Sequence, residues 1–353
     1  MITLAQIGCG YWGPNLLRNF SAQPDAHVKY VVEASAERRA YVEQNYPRSL
    51  AVDNLAIVLA DPSVQAVVVA TPAATHFALA RRILESGRHV FVEKPLATAV
   101  REVDALDALA RVRGLTLMVG HTFLYNPAVL FLKQLIDSGG LGRIYYAYSQ
   151  RLNLGVVRSD VNALWNLAPH DISIFNFLFG AEPLTVSATG TAYLQPGVED
   201  VVFANLEYPG QIQANVHVSW LDPNKIRKVT LVGSRKMVIY DDVAPKNKIE
   251  IYDKGIDSPA ASANPRPFDP PPAAQTLIYR SGEVETPALP PDEPLRAAVR
   301  DFLNGITEGR PVRAGAASGR GVVAALEAAT QSLREGSRRV ALNEVLIPRL
   351  APP

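Results

Sequence analysis

Apolar residues come in short bursts through the first third of the chain, and each burst is followed by a stretch with helical spacing. Ile2 to Ile7 is one such burst, and Leu16, Leu17 and Phe20 then line one side of a helix whose first turn suits Pro14. Val28 to Val32 reads as a second strand, with an Ala-rich helix from Ala36 to about Gln44 after it. Leu50 to Val52, Gln65 to Ala70, Val90 to Val92 and Leu115 to Val119 continue the series. Helices at Leu55 to Leu59, Thr75 to Glu85 and Ala99 to Arg113 separate them, the last two stopped by Gly87 and Gly114. Six short strands alternating with helices predict a doubly wound parallel sheet of the Rossmann type, ending near Gly120.

The pattern then changes. Gly120 to Pro127 reads as a linker, and Pro127 opens a helix to about Asp137 with Val129, Leu132, Leu135 and Ile136 as its apolar stripe. A strand follows from Arg143 to Leu152. Another helix carries Ile172, Ile174, Phe175, Phe177 and Leu178; Pro169 belongs in a first turn, so this helix is expected to start just before it. From Leu184 to Tyr252 period-two runs dominate, broken at Pro209-Gly210 and Gly233-Ser234, which predicts a mostly antiparallel sheet. Residues Ser258 to Ala274 are rich in proline and read as a loop of polyproline character. Two helices, Pro294 to Glu308 and about Ser318 to Leu333, follow. The fold class is α/β: an N-terminal Rossmann sheet over residues 1–121, then an α+β domain with a large, mostly antiparallel open sheet over 122–353.

Composition narrows the function more than the fold. The 353 residues carry 35 basic and 34 acidic side chains, a formal charge of +1, so nothing asks for nucleic acid or an anionic membrane as partner. No apolar run approaches the ~20 residues needed to span a bilayer. One cysteine, Cys9, excludes an intrachain disulfide. With no basic leader before the first strand, a cytoplasmic protein is expected.

Three stretches carry candidate chemistry. Gly8-Cys9-Gly10-Tyr11-Trp12-Gly13 lies between the first strand and its helix, where glycines let backbone N–H groups approach a pyrophosphate. Glu33 ends the second strand, 20 residues beyond Gly13, and would accept from ribose hydroxyls and repel a 2′-phosphate. NAD is therefore favoured over NADP, although Arg38 and Arg39 follow closely and are able to meet a phosphate. Lys94, in Glu93-Lys94-Pro95, falls at the carboxyl end of the fifth strand, the edge where open parallel sheets place ligands. On the residues alone it is either a solvated strand-end lysine or a reactive group. His170 and Asn166 lie four apart on one helix face; a histidine near a helix N-terminus is favoured neutral and suits a proton acceptor, and the plainer reading is an N-cap and a packed core histidine. The six histidines form no H-E-x-x-H, and no metal site, Walker loop or nucleophile elbow is present in the sequence. Hydride transfer is the chemistry that remains.

The motifs IGCGYWG, ATPAATH, VEKPLA, GHTFLYNPAV and WNLAPHDISI occur in this order. Together they make the chain resemble the glucose–fructose oxidoreductase and inositol dehydrogenase (Gfo/Idh/MocA) family along essentially its whole length. The resemblance implies catalysis by Lys94 and His170 on a sugar or cyclitol hydroxyl. Asn166, Tyr125, Arg151 and Asn153 would contact the substrate. Gly8, Gly10, Tyr11, Trp12, Gly13, Glu33, Arg38, Thr71, Pro72, His76, Glu93 and Lys94 would surround the cofactor. It implies a homo-dimer or homo-tetramer through the C-terminal sheet, and often a cis Lys–Pro bond. Many relatives carry Asp where this chain has Asn166, and an amide offers only neutral hydrogen bonds. The detailed pattern is most similar to members acting on nucleotide-linked sugars, such as UDP-N-acetylglucuronate 3-dehydrogenases. Other sugar or cyclitol dehydrogenases, a ketosugar reductase, or a non-catalytic NAD-binding sensor are the alternatives.

Overall fold

A computed structural model describes residues 1–257 and 278–346. The chain alternates β1 (Ile2–Ile7), α1 (Gly13–Ser21), β2 (Ala26–Val32), α2 (Ala36–Asn45), β3 (Leu50–Val52), α3 (Leu55–Ala60), β4 (Ala66–Val69), α4 (His76–Glu85), β5 (His89–Val92), α5 (Val100–Arg113) and β6 (Leu117–Val119). These six strands form one parallel sheet in the order β3-β2-β1-β4-β5-β6. Covered by helices, the central strands are mostly apolar: Val67, Val68, Val69, Val90, Phe91 and Val92 are all buried. The order reverses beside β1, which puts the ligand crevice at the carboxyl ends of β1 and β4.

A short 3₁₀ turn, Thr122–Tyr125, leads to α6 (Pro127–Asp137), β7 (Ile144–Leu152) and α7 (Ala163–Phe179). There follow β8 (Thr185–Thr191), β9 (Val201–Tyr208), β10 (Ile212–Ser219), β11 (Ile226–Gly233), β12 (Met237–Asp241), β13 (Ile249–Asp257) and β14 (Ile278–Glu285). The described chain closes with α8 (Pro294–Glu308), α9 (Ala316–Arg334), β15 (Val340–Ala341) and α10 (Leu342–Leu346). Nine strands make the second sheet, β14-β13-β12-β11-β7-β10-β9-β8-β15; its pairs are antiparallel except β7 with β10. The edge strand β14 was not foreseen, because all its residues but one are exposed and its sequence lacks an apolar face. The proline-rich run Ser258 to Ala274 lies outside the described residues.

Two departures matter for the site. The helix bearing His170 begins at Ala163, not just before Pro169. Asn162 is its N-cap, accepting from the Trp165 N–H at 3.0 Å, and Pro169 stands inside the helix. The chain also returns to the first sheet near its end: Phe302 of α8 packs edge-on against Phe20 and Phe91 at 6.2 and 5.7 Å, and the Val119 N–H bonds the Ala314 carbonyl. The second half of the chain thus clamps the β5–β6 edge, where Lys94 lies. Among the described residues no helix is long and apolar enough to cross a membrane, and no group of three or more His, Cys, Asp or Glu side chains is placed to hold a metal ion.

Candidate active site

The loop after β1 has the shape of a phosphate cradle. Gly8 has φ +91°, and a methyl group on it would sit 2.5 Å from the Ala70 carbonyl oxygen. One on Gly13 would sit 2.6 Å from the Gly8 oxygen, so both positions require glycine. Gln6, unmarked by any sequence motif, ties the loop from beneath by donating to the Gly8 and Gly13 carbonyls, each at 2.9 Å. A methyl group on Gly10 would meet only the Arg38 guanidinium, at 3.4 Å, so this side of the loop is open. Tyr11 is fully on the surface and Trp12 partly so.

Glu33 lies where the spacing placed it. Its buried carboxylate accepts from the Cys9 N–H at 2.7 Å and the Ser35 N–H at 2.9 Å, joining the glycine loop to the end of β2. Each oxygen keeps a lone pair for a ribose hydroxyl. Arg39 is occupied by the Glu33 and Ala34 carbonyls, whereas Arg38 stands over the loop.

His76 departs from its expected role. Its ring is buried, with Nδ1 2.7 Å from the Pro95 carbonyl and Nε2 2.8 Å from the Thr71 carbonyl. The ring lies between two carbonyls, of which a neutral imidazole donates to one, and it links the β4 and β5 turns. Burial pushes its pKa down. Thr71 and Pro72 remain at the rim, with Thr71 Oγ1 2.6 Å from Thr75 Oγ1.

Glu93 and Lys94 follow β5, and the Lys94–Pro95 peptide is cis. Lys94 Nζ donates to the Asn166 backbone carbonyl at 2.8 Å. Burial lowers its pKa to about 8, against the opposing pull of Glu93. Burial likewise raises Glu93 to about 7. One Glu93 oxygen accepts the Lys94 N–H at 3.1 Å, and Oε1, buried, has no partner.

From the second layer α7 brings Asn166 and His170 one turn apart. Pro169 has no N–H for the Trp165 carbonyl, and the next carbonyl, that of Asn166, is the one Lys94 takes. His170 sits in the middle of the helix, so the helix dipole cannot account for its state. Burial foremost, then the charges of Lys94 and Arg151, holds its pKa well below the usual value. The neutral imidazole expected from the sequence is present for a different reason. Its Nδ1 is unpartnered, and its ring stands edge-on to Phe123 at 5.1 Å.

Two expected substrate contacts are committed elsewhere. Arg151 is buried in a two-pronged pair with Asp171, at 2.9 and 3.1 Å, with its guanidinium over the Phe123 ring. Tyr125 is buried, donates to Asp301 at 2.6 Å and accepts from the Ala314 N–H, which makes it a hinge contact. Asn153, just past β7, is half-buried and its side chain lies against Gly155. His121, in the stretch read from the sequence as a linker, is buried at the end of β6 close enough for the Lys94 charge to act on it. Its place two residues past the end of β6, the strand that neighbours Lys94's, was the available signal.

These residues fit a dinucleotide: a glycine cradle open at Gly10, an acid at the end of β2, and unpartnered buried atoms around Lys94. Comparison with known proteins agrees. Residues 2–121 match the family model described as GFO_IDH_MocA oxidoreductase family, NAD-binding Rossmann fold, and residues 129–239 match the GFO/IDH/MocA C-terminal domain. A UDP-N-acetylglucosamine 3-dehydrogenase of Acidithiobacillus ferrooxidans is 30% identical over 323 residues, covering 90% of this chain and 93% of that protein. Its solved structure superposes with a TM-score of 0.77 at 28% identity, over 95% of this chain and 98% of that one. A scyllo-inositol 2-dehydrogenase (NAD(+)) of Bacillus subtilis is 28% identical over 176 residues, 47% of this chain and 52% of that protein.

Proposed function

Because the chain belongs to the GFO/IDH/MocA family of NAD-binding oxidoreductases, we propose that it moves a hydride between nicotinamide and a secondary hydroxyl or ketone of a sugar, with a nucleotide-linked sugar as first choice. The observation that carries this reading is the meeting of Lys94 and α7, Nζ to the Asn166 carbonyl at 2.8 Å, which sets an ammonium and a neutral imidazole at one cleft. The nicotinamide, when bound, supplies the hydride acceptor or donor. Lys94 holds the reacting oxygen and stabilises negative charge on it, and His170 takes the hydroxyl proton during oxidation and returns it during reduction. Asn166 and Asn153 are the polar side chains left to position the sugar. The cofactor contacts are Gly8, Gly10, Tyr11, Trp12, Gly13, Glu33, Arg38, Thr71, Pro72 and Glu93. The relative of 30% identity acts, by its name, on UDP-N-acetylglucosamine at carbon 3, which supports that substrate class. Incubating the protein with NAD and a panel of UDP-sugars, free hexoses and inositols, and following NADH absorbance, tests the reading; turnover of none of them sinks it.

Residues 1–121 serve as the cofactor domain and 122–353 as the domain for substrate and self-association, with α8 lent to the first. The nine-stranded sheet supports association, since Tyr146 and Tyr148 of β7 and Phe203 of β9 stand exposed on one face. Sedimentation decides between this assembly and a monomer. NAD is the proposed cofactor, with NADP disfavoured by Glu33. Glu33→Ala is expected to narrow the NAD preference by about tenfold, a ~1.4 kcal/mol change, as Arg38 becomes free to meet a 2′-phosphate. An unchanged ratio of the two Kd values would remove Glu33 from cofactor selection.

A further inference from the structure

We propose that His121 reads the carboxamide of the nicotinamide, a role that rests on the NAD reading above and adds a cofactor contact at the end of β6. The strand order makes the rim directional. With the glycine loop at β1 and Glu33 at the end of β2, the adenosine half lies over the β2 side and the nicotinamide half over β4, β5 and β6. On that side Thr71 follows β4, Glu93 and Lys94 follow β5, and Gly120 and His121 follow β6.

Two buried polar atoms at this rim have no partner: Glu93 Oε1 and His121 Nε2. They are neighbours through Gly120, on which a methyl group would sit 2.9 Å from Glu93 Oε1. His121 is 1% exposed, and its Nδ1 lies 3.0 Å from the Ser318 hydroxyl, in the first turn of α9. That contact orients the ring and leaves Nε2 as its one unused hydrogen-bonding atom. Leaving a buried polar group unpaired is costly, so a side chain that only filled space would do better without it. Buried Ser149 Oγ, Asp200 Oδ1 and Trp220 Nε1 are also unpartnered, but they belong to the second sheet, away from this rim.

The chemistry of the atom selects its ligand. Burial keeps the ring neutral, with a pKa near 3. With the Ser318 hydroxyl accepting from Nδ1–H, the tautomer this proposal takes, Nε2 is left as an acceptor. The carboxamide NH₂ is the donor it would meet. The reacting oxygen is already served by Lys94 and His170, and the nicotinamide's side group is the polar feature left.

Equilibrium binding tests this apart from turnover. NAD⁺, its 3-acetylpyridine analogue (a methyl in place of the NH₂) and ADP-ribose would each be titrated into the full chain, wild type, His121→Phe and His121→Gln. Wild type is expected to prefer NAD⁺ over the analogue by about fivefold or more, the size of one hydrogen bond. His121→Phe should lose that preference and bind ADP-ribose as wild type does. His121→Gln, whose amide reaches the same place, should restore most of it. If His121→Phe keeps the preference, or weakens ADP-ribose as much as NAD⁺, the assignment is overturned. Should wild type bind neither NAD⁺ nor ADP-ribose, the cofactor reading falls and this one with it; ADP-ribose binding without the preference overturns this one alone.

Discussion

Replacing Lys94 with methionine is expected to lower kcat by about 10³-fold while NAD still binds. A positioned acid or charge is worth ~10²–10⁴ in rate, and Lys94 is the cation proposed above to hold the reacting oxygen. Methionine keeps the length and most of the volume but stabilises no alkoxide. Folding should survive. The Lys94 pKa is depressed to about 8, so below that value burying the charge costs stability, and this cost fades as pH rises towards the unfolded value. Its removal at neutral pH therefore should not lower Tm. The same shift sets the pH profile. With Lys94 protonated and His170 neutral, kcat/KM for sugar oxidation should be level from about pH 6.5 to 8. Above that it should fall towards tenfold per unit as Lys94 loses its proton. A rate that instead climbs through pH 8 would make neutral Lys94 the base and remove His170 from proton transfer. Full activity in the methionine variant would end the mechanism altogether.

What the sequence revealed and what it hid divide along a physical line. Gly8, Gly13, Glu33 and Lys94 were legible because each is dictated by local backbone: a turn too tight for a Cβ, the end of a strand, a fixed spacing. Pro169 misled for the opposite reason. Proline in a helix interior is disfavoured by local rules, but here the carbonyl beside the gap takes Lys94 Nζ from 72 residues away, a contact no local pattern announces. Arg151 and Tyr125 were expected at the substrate on the family resemblance. Their partners, Asp171 and Asp301, lie 20 and 176 residues off in sequence. His76 was assigned to the cofactor on its motif, and its buried ring lies between the Thr71 and Pro95 carbonyls. Where an interaction is long-range and its partner ordinary, the sequence marks the residue and not its task.

The Arg151–Asp171 pair carries the second large expectation. Both side chains are nearly sealed from water, at 6% and 1% exposure, and they meet through two hydrogen bonds. Asp171→Ala leaves a buried guanidinium unpaired, which should cost about 3–5 kcal/mol and lower Tm by roughly 5–15 °C. The double variant Arg151→Met with Asp171→Leu should regain most of that loss, because replacing a buried pair by apolar side chains is often neutral. Thermal unfolding of wild type, Arg151→Met, Asp171→Leu and the double variant measures the coupling, and simple additivity would show that the pair does not act as a unit. Activity of the double variant then separates the two roles open to Arg151. Its guanidinium lies 4.7 Å over the Phe123 ring, and Phe123 backs His170 at 5.1 Å. If Arg151 supports this wall, the stable double variant should lose kcat with little change in the sugar KM, since His170 is no longer held in place. If the guanidinium binds the sugar directly, KM should rise instead. Asp171 uses both oxygens on Arg151, and that commitment favours the first outcome.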